Sequence, residues 1–261
     1  MPYLEITAIA ALQDNYIWAI IHKNSQQILI VDPGESFPVL QFLQQHSYQL
    51  TGILLTHHHG DHTRGVPEIL KQFPDTPVWG SIDSALSFIN HPIHSPSEIT
   101  VNNLFPRYTI LKIPGHTLDH IAYLDKENSL LFCGDTLFAG GCGRAFEGTL
   151  AQLYDALQQI AKLPDHTQIY CAHEYTLKNL EFAHQVEPHN QAIIARQIQV
   201  KELRREGHPS LPSTLKEEKA TNPFLRCNSA EIVSMAENYV GKALVSPLEV
   251  FIALREWKNT F

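Results

Sequence analysis

The densest chemical signal in this 261-residue chain is the run Thr56-His57-His58-His59-Gly60-Asp61-His62. It puts four ligand-type side chains, His57, His59, Asp61 and His62, on one short loop after a strand-like stretch at 52–56. Residues two apart in an extended or turning segment point to the same side, so His57 and His59 can share a target while His58 points away. Metalloprotease helices instead space their paired histidines by four. Three further candidates each follow a strand-like stretch: His116 after 109–113, Asp135 at the end of 130–134, and His173 at the end of 168–172. A sheet would gather such ends along one edge.

Seven ligands are too many for one tetrahedral ion. They divide naturally if Asp135 bridges two ions, one with three histidines and one with two histidines and an aspartate. Two ions roughly 3.5–4 Å apart can share a water and lower its pKa towards about 7, so that hydroxide is made at neutral pH. Imidazole with carboxylate suits zinc, iron or manganese. A hydroxide made this way needs no Ser-His-Asp set. His58, His91, His94 and His120 are not expected to be ligands, and Asp32-Pro33-Gly34 reads as a turn. The stretch Gly140-Gly141-Cys142-Gly143-Arg144 lacks the Lys-Ser/Thr of a phosphate loop. Its glycines are expected to let the backbone run close to the metal site.

The elements that must position these residues are legible in outline. Apolar, β-branched runs at 27–32, 52–56, 109–113, 120–124, 130–133 and 168–171 predict strands. Residues 38–46 and 63–73 predict helices, and Thr149-Leu150-Ala151-Gln152 is a capping box opening another. After residue 174 strand signals nearly vanish. Helices are expected at 175–186 and 190–206, and Ser246-Pro247-Leu248-Glu249 marks the start of a last one. The expected organisation is an α/β catalytic domain over 1–174 and a helical domain over 175–261.

Hydrophobic residues make up 44 % and charged residues 18 %, the balance of an ordinary globular protein. No apolar run approaches the roughly 20 residues that cross a bilayer, and the N-terminus has no signal-peptide pattern. A cytoplasmic, monomeric protein is expected, its four scattered cysteines reduced. Residues 1–174 hold 17 acids and 8 Lys/Arg, and residues 175–261 hold 10 and 11, giving −9 and +1 and the net of −8. No basic tract suggests nucleic acid. An anionic substrate would look to the later half.

With these residues in view, the chain resembles the glyoxalase II enzymes (hydroxyacylglutathione hydrolases) of the metallo-β-lactamase superfamily. The resemblance runs through Asp14-Asn15-Tyr16, Thr56–His62, Gly115-His116-Thr117, Gly134-Asp135-Thr136-Leu137-Phe138, Gly141-Cys142-Gly143-Arg144, His173-Glu174-Tyr175-Thr176, Asn222-Pro223-Phe224 and the terminal Arg255 and Lys258. The first histidine motif marks only the superfamily; the later ones narrow it. The resemblance implies a four-layer αβ/βα sandwich followed by a helical domain. It places His57, His59, His116 and Asp135 on one metal ion, and Asp61, His62, His173 and the shared Asp135 on the other, Asp61 and Asp135 being the catalytic carboxylates. It implies hydrolysis of S-D-lactoylglutathione to D-lactate and glutathione, the second step of methylglyoxal detoxification, with zinc the first choice of metal. Glutathione would be held by Arg144, Phe146, Tyr175, Arg255 and Lys258. The animal enzymes have lysine and tyrosine where Arg144 and Phe146 stand. Arg144 keeps the charge, and Phe146 gives up a hydroxyl worth about 1 kcal/mol of binding.

Thioester chemistry suits this set of residues, because a thiol of pKa near 8.5 leaves with little help from a general acid. Rival readings within the superfamily are a β-lactamase, which would carry a cysteine in place of Asp135, an RNA-processing nuclease, which would add a basic arm, and a persulfide dioxygenase with a single iron. A metal-storage protein would have no use for Arg144, Tyr175, Arg255 and Lys258.

Overall fold

The computed structural model describes residues 3–261. Its first sheet holds six strands in chain order: β1 (Leu4–Ala11), β2 (Asn15–His22), β3 (Gln27–Val31), β4 (Gln49–Leu54), β5 (Val78–Ser81) and β6 (His91–Ile93). The first three pair antiparallel and the rest parallel. Both faces of this sheet are buried, and the two-residue period sorts its side chains between them. Ile17, Ala19 and Ile21 of β2, with Ile28 and Ile30 of β3, pack against Val39 and Leu43 of helix α1 (Ser36–His46) and Ile69 of α3 (Val66–Gln72). Tyr16, Trp18, Ile20, Leu29 and Val31 belong to the core shared with the second sheet.

The second sheet contains β7 (Ser97–Thr100), β8 (Arg107–Lys112), β9 (Ile121–Asp125), β10 (Leu130–Gly134), β13 (Gln168–Cys171) and β14 (Ser213–Thr214), ordered β14-β13-β10-β9-β8-β7. Between β10 and β13 lie a two-stranded hairpin, β11 (Leu137–Phe138) with β12 (Gly141–Cys142), and helix α4 (Leu150–Ala161). Leu153, Leu157 and Ile160 of α4 enter the core at helical spacing. Both arms of its capping box form: Thr149 accepts from the Gln152 N–H, and the Gln152 side chain from that of Thr149. Helix, sheet, sheet and helix give the four-layer sandwich.

Beyond it come α5 (Thr176–Val186), α6 (Gln191–Arg205), α7 (Leu215–Thr221), a 3₁₀ turn (Pro223–Leu225), α8 (Ala230–Val240) and α9 (Pro247–Thr260). Ser246 caps α9 by accepting from the Glu249 N–H. The segment is not wholly helical, since β14 pairs with β13.

One helical stretch differs from expectation. The single helix expected over 63–73 is broken into α2 (Gly60–Thr63) and α3 at Gly65. The Gly65 N–H donates to the Pro33 carbonyl at 2.9 Å, and a Cβ on Gly65 would stand 2.6 Å from that same oxygen. Asp61 and His62 therefore ride on a helical turn rather than a loop. All four cysteines are buried free thiols. Among the described residues no helix is long and apolar enough to cross a membrane.

Candidate metal centre

Strands β8, β10 and β13 run in the same direction, so His116, Asp135 and His173 leave from the same end of the second sheet. The run 57–62 comes from the end of β4 in the first sheet. The expectation of a single sheet edge is therefore corrected: strand ends of two sheets converge, because the run follows a strand of the opposite layer.

All seven expected ligands meet there. His116 Nε2 lies 3.0 Å from His59 Nδ1 and 3.4 Å from Asp135 Oδ2. The other carboxylate oxygen, Oδ1, is 3.3 Å from His62 Nε2 and 3.4 Å from His173 Nε2. Asp61 Oδ2 stands 3.6 Å from His62 Nε2 and 3.5 Å from His173 Nε2. Donors 2.0–2.1 Å from a tetrahedral ion lie roughly 3.3 Å from one another, so the separations of 3.3–3.6 Å fit ligands around a shared ion, while the His59–His116 contact is of hydrogen-bond length. The groups His57–His59–His116 and Asp61–His62–His173 each bring their ligand atoms within 4.8 Å of one another. His57 Nε2, His62 Nε2 and Asp135 Oδ1 are buried without a hydrogen-bond partner among the described residues. Leaving such atoms unpaired is costly unless a cation takes them.

The outward nitrogens are held by other groups, which turns the remaining ones inward. His62 Nδ1 meets Asp32 Oδ2 at 3.0 Å, His116 Nδ1 meets the Arg144 carbonyl at 2.8 Å, and His173 Nδ1 meets Asp14 Oδ1 at 2.8 Å. Asn15 Nδ2 donates to the Asp61 carboxylate at 3.3 Å. Asp32, expected only to turn the chain, also accepts from the Thr56 N–H at 2.8 Å and hydroxyl at 2.6 Å. His120, not expected to be a ligand, stacks its ring 4.6 Å from that of His57, and its Nε2 accepts from the Asp135 N–H at 3.2 Å. His58 indeed points away, to Asp119 at 2.9 Å and Glu147 at 3.0 Å. Local sequence carries no sign of the roles of Asp32 and His120, because their partners are distant in the chain.

Burial depresses the pKa values of His57 and His116 and keeps them neutral, the form that ligates a cation. Burial opposes charge on His173 as well, but Asp135 and Asp61 outweigh it and lift its pKa to about 10. Asp135 stays well below the usual carboxylate range: burial works against its charge, and His62 and His173 prevail. The imidazoles of His62, His116 and His173 within 3.6 Å of the Asp61 and Asp135 carboxylates make a strongly polarised pocket.

Beside this centre opens a cavity of about 430 Å³, lined by His116, Asp135, Phe138, Gly143, Arg144, Phe146, Tyr175, Lys178, Arg255 and Lys258 among others. All five expected substrate residues line it. Gly143 shows why glycine is needed: a Cβ there would overlap the Asp135 carbonyl oxygen. The Tyr175 ring stacks on His173 at 4.7 Å, and Phe146, 64 % exposed, stands 5.3 Å from the His116 ring. Arg255 is buried, donates from Nη1 to the Cys142 carbonyl at 2.9 Å, and leaves Nε without a partner among the described residues. Lys178 is a cation on the wall that sequence reading passed over.

Two family models together match residues 14–261. Residues 14–173 match the metallo-beta-lactamase superfamily, and residues 174–261 match the hydroxyacylglutathione hydrolase C-terminus. The hydroxyacylglutathione hydrolase of Nitrosomonas europaea is 46 % identical over 258 residues, covering 99 % of this chain and 97 % of the relative. The chain belongs to the hydroxyacylglutathione hydrolase family. The Shewanella halifaxensis enzyme of the same name is also 46 % identical, over 99 % of this chain and 100 % of its own. Members of the family are thioester hydrolases, and the metal-ligand cluster marks this one as metal-dependent. Among solved structures, ETHE1 from Myxococcus xanthus superimposes with a TM-score of 0.64 at 25 % identity, over 98 % of each chain. The BLEG-1 B3 metallo-beta-lactamase gives 0.64 at 18 % identity, over 85 % of this chain and 99 % of that one, a likeness of fold.

Proposed function

We propose that the protein hydrolyses S-D-lactoylglutathione to D-lactate and glutathione at a centre of two metal ions, zinc first among the candidates. His57, His59, His116 and Asp135 would hold one ion, and Asp61, His62, His173 and Asp135 the other. The observation that carries the two-ion reading is the division of Asp135, with Oδ2 turned to His116 and Oδ1 to His62 and His173. Two bound ions would supply hydroxide at neutral pH by lowering the pKa of a shared water towards about 7, and would polarise the acyl oxygen.

The protein's own residues bind and orient. Arg144 and Lys258 bring positive charge to the cavity for the carboxylates of the tripeptide, and Arg255 offers an unpartnered N–H of a buried guanidinium. Phe146 and Tyr175 give apolar faces on either side of the metal-ligand histidines. Hydrolysis adds hydroxyl to the acyl carbon and a proton to sulfur, a leaving group that needs no strong acid. In this reading residues 1–174 carry the chemistry and 175–261 complete the substrate site, in a cytoplasmic monomer.

Purified, metal-analysed protein should release thiol from S-D-lactoylglutathione and carry about two ions per chain. Failure to release thiol, together with oxygen uptake on glutathione persulfide, would replace the hydrolase with a persulfide dioxygenase. One ion per fully active chain would remove the bridging role of Asp135.

A further inference from the structure

We infer that Asn222 and Glu218 are positioning residues for substrate recognition, which set the β11–β12 hairpin from the helical segment and so fix where Arg144 stands. The inference rests on the proposed reading of the cavity as the glutathione site.

The hairpin has only two residue pairs, Leu137 with Cys142 and Phe138 with Gly141. A ribbon that short does not hold itself in water. Its turn passes through Gly140 at a φ of 68°, in the left-handed region. Five consecutive residues, 138–142, give a backbone group to a side chain of the helical segment. Asn222 Nδ2 donates to the carbonyls of Phe138 at 3.2 Å and Gly141 at 2.8 Å. Glu218 Oε2 accepts from the Gly140 N–H at 2.8 Å. Asn179 Nδ2 takes the Ala139 carbonyl at 3.1 Å, and Arg255 takes that of Cys142.

Glu218 is fully buried and is charge-balanced by Arg196 at 2.6 Å. Well-packed apolar residues are often at least as stable as a buried ion pair. This pair places an acceptor under Gly140 N, which an apolar pair would not do. The metal-proximal ends of the same stretch are tied separately, the Asp135 N–H to His120 and the Gly143 N–H to the Thr136 carbonyl at 3.2 Å. The Arg144 carbonyl also accepts from His116 Nδ1 at 2.8 Å, so loosening the middle should shift the Arg144 side chain on a backbone that stays in register with the ligands.

Asn222→Ser is the informative change. Asn222 Oδ1 accepts from the Phe224 N–H at 3.1 Å, and serine keeps an oxygen for that cap while both hairpin donors go. KM for S-D-lactoylglutathione should rise about tenfold, the scale of one or two lost hydrogen bonds, with kcat within about twofold. Turnover of S-lactoyl-N-acetylcysteamine, which lacks the glutathione carboxylates, should be unchanged. In an Arg144→Ala background Asn222→Ser should add no further rise. Asn179→Ala, which frees the Ala139 carbonyl, carries the same expectation should Asn222→Ser not fold. Equal losses on both thioesters, or an unchanged KM, would overturn the inference. A wild-type protein inactive on the glutathione thioester would instead overturn the reading beneath it.

Discussion

Asp32 gathers Thr56 and His62 on one buried carboxylate, joining the end of β4 to the helical turn that carries Asp61. An Asp-Pro-Gly sequence reads as a turn because each of the three residues favours one, and a partner 30 positions away leaves no local trace. The clustering of the proposed ligands was legible because histidine and aspartate in that spacing have few other uses. Asp32→Asn keeps the shape but turns one acceptor oxygen into a donor. Its metal affinity should fall about 10- to 100-fold in chelator competition, and wild-type affinity would reduce Asp32 to a turn residue. Lys258 offers a second test. Burial, reinforced by the nearby Arg255, lowers its pKa to about 8. As pH rises through that value the ammonium is lost, so KM for the anionic substrate should climb above about pH 8. Lys258→Arg, which stays charged, should hold KM flat over the same range; parallel profiles would show that Lys258 does not meet the substrate.

Elements with strong end signals came out as expected. The capping box at Thr149 and the Ser246-Pro247 start each open the helix they announce. Thr149→Ala removes one arm of that box at an exposed position whose side chain bonds only within the box. It should cost about 1 kcal/mol and lower the melting temperature by about 2–4 °C while leaving kcat unchanged; a drop in kcat would connect α4 to the chemistry. Less was legible where pattern is weak. Strand β6 has three residues, two of them exposed, and β7 alternates half-buried with exposed side chains without a β-branched run. The break at Gly65 was also hidden, because a lone glycine in an amphipathic stretch is ordinarily tolerated and the closeness of Pro33 is a tertiary fact.

At the scale of the molecule, a body of net charge −8 carries a cavity wall with Arg144, Lys178, Arg255 and Lys258. Such a local reversal of sign draws an anion towards one place rather than to the surface at large. The division of charge along the chain hinted at this, but the cations come from both halves, which only the folded chain brings together. The layered sandwich was implied by the family resemblance more than by composition. What neither motif nor composition indicated is β14, two residues of the late segment laid along β13, with Ser213 opposite Ile169 and Thr214 opposite Gln168. Without them β13 would be a sheet edge, its N–H and C=O groups open to any passing strand. A fragment ending at residue 174 should therefore self-associate in light scattering while the full chain stays dispersed, and a fragment that remained dispersed would show that the edge is protected in another way. The late segment would thus cover an open edge of the second sheet, independently of anything it does for substrate.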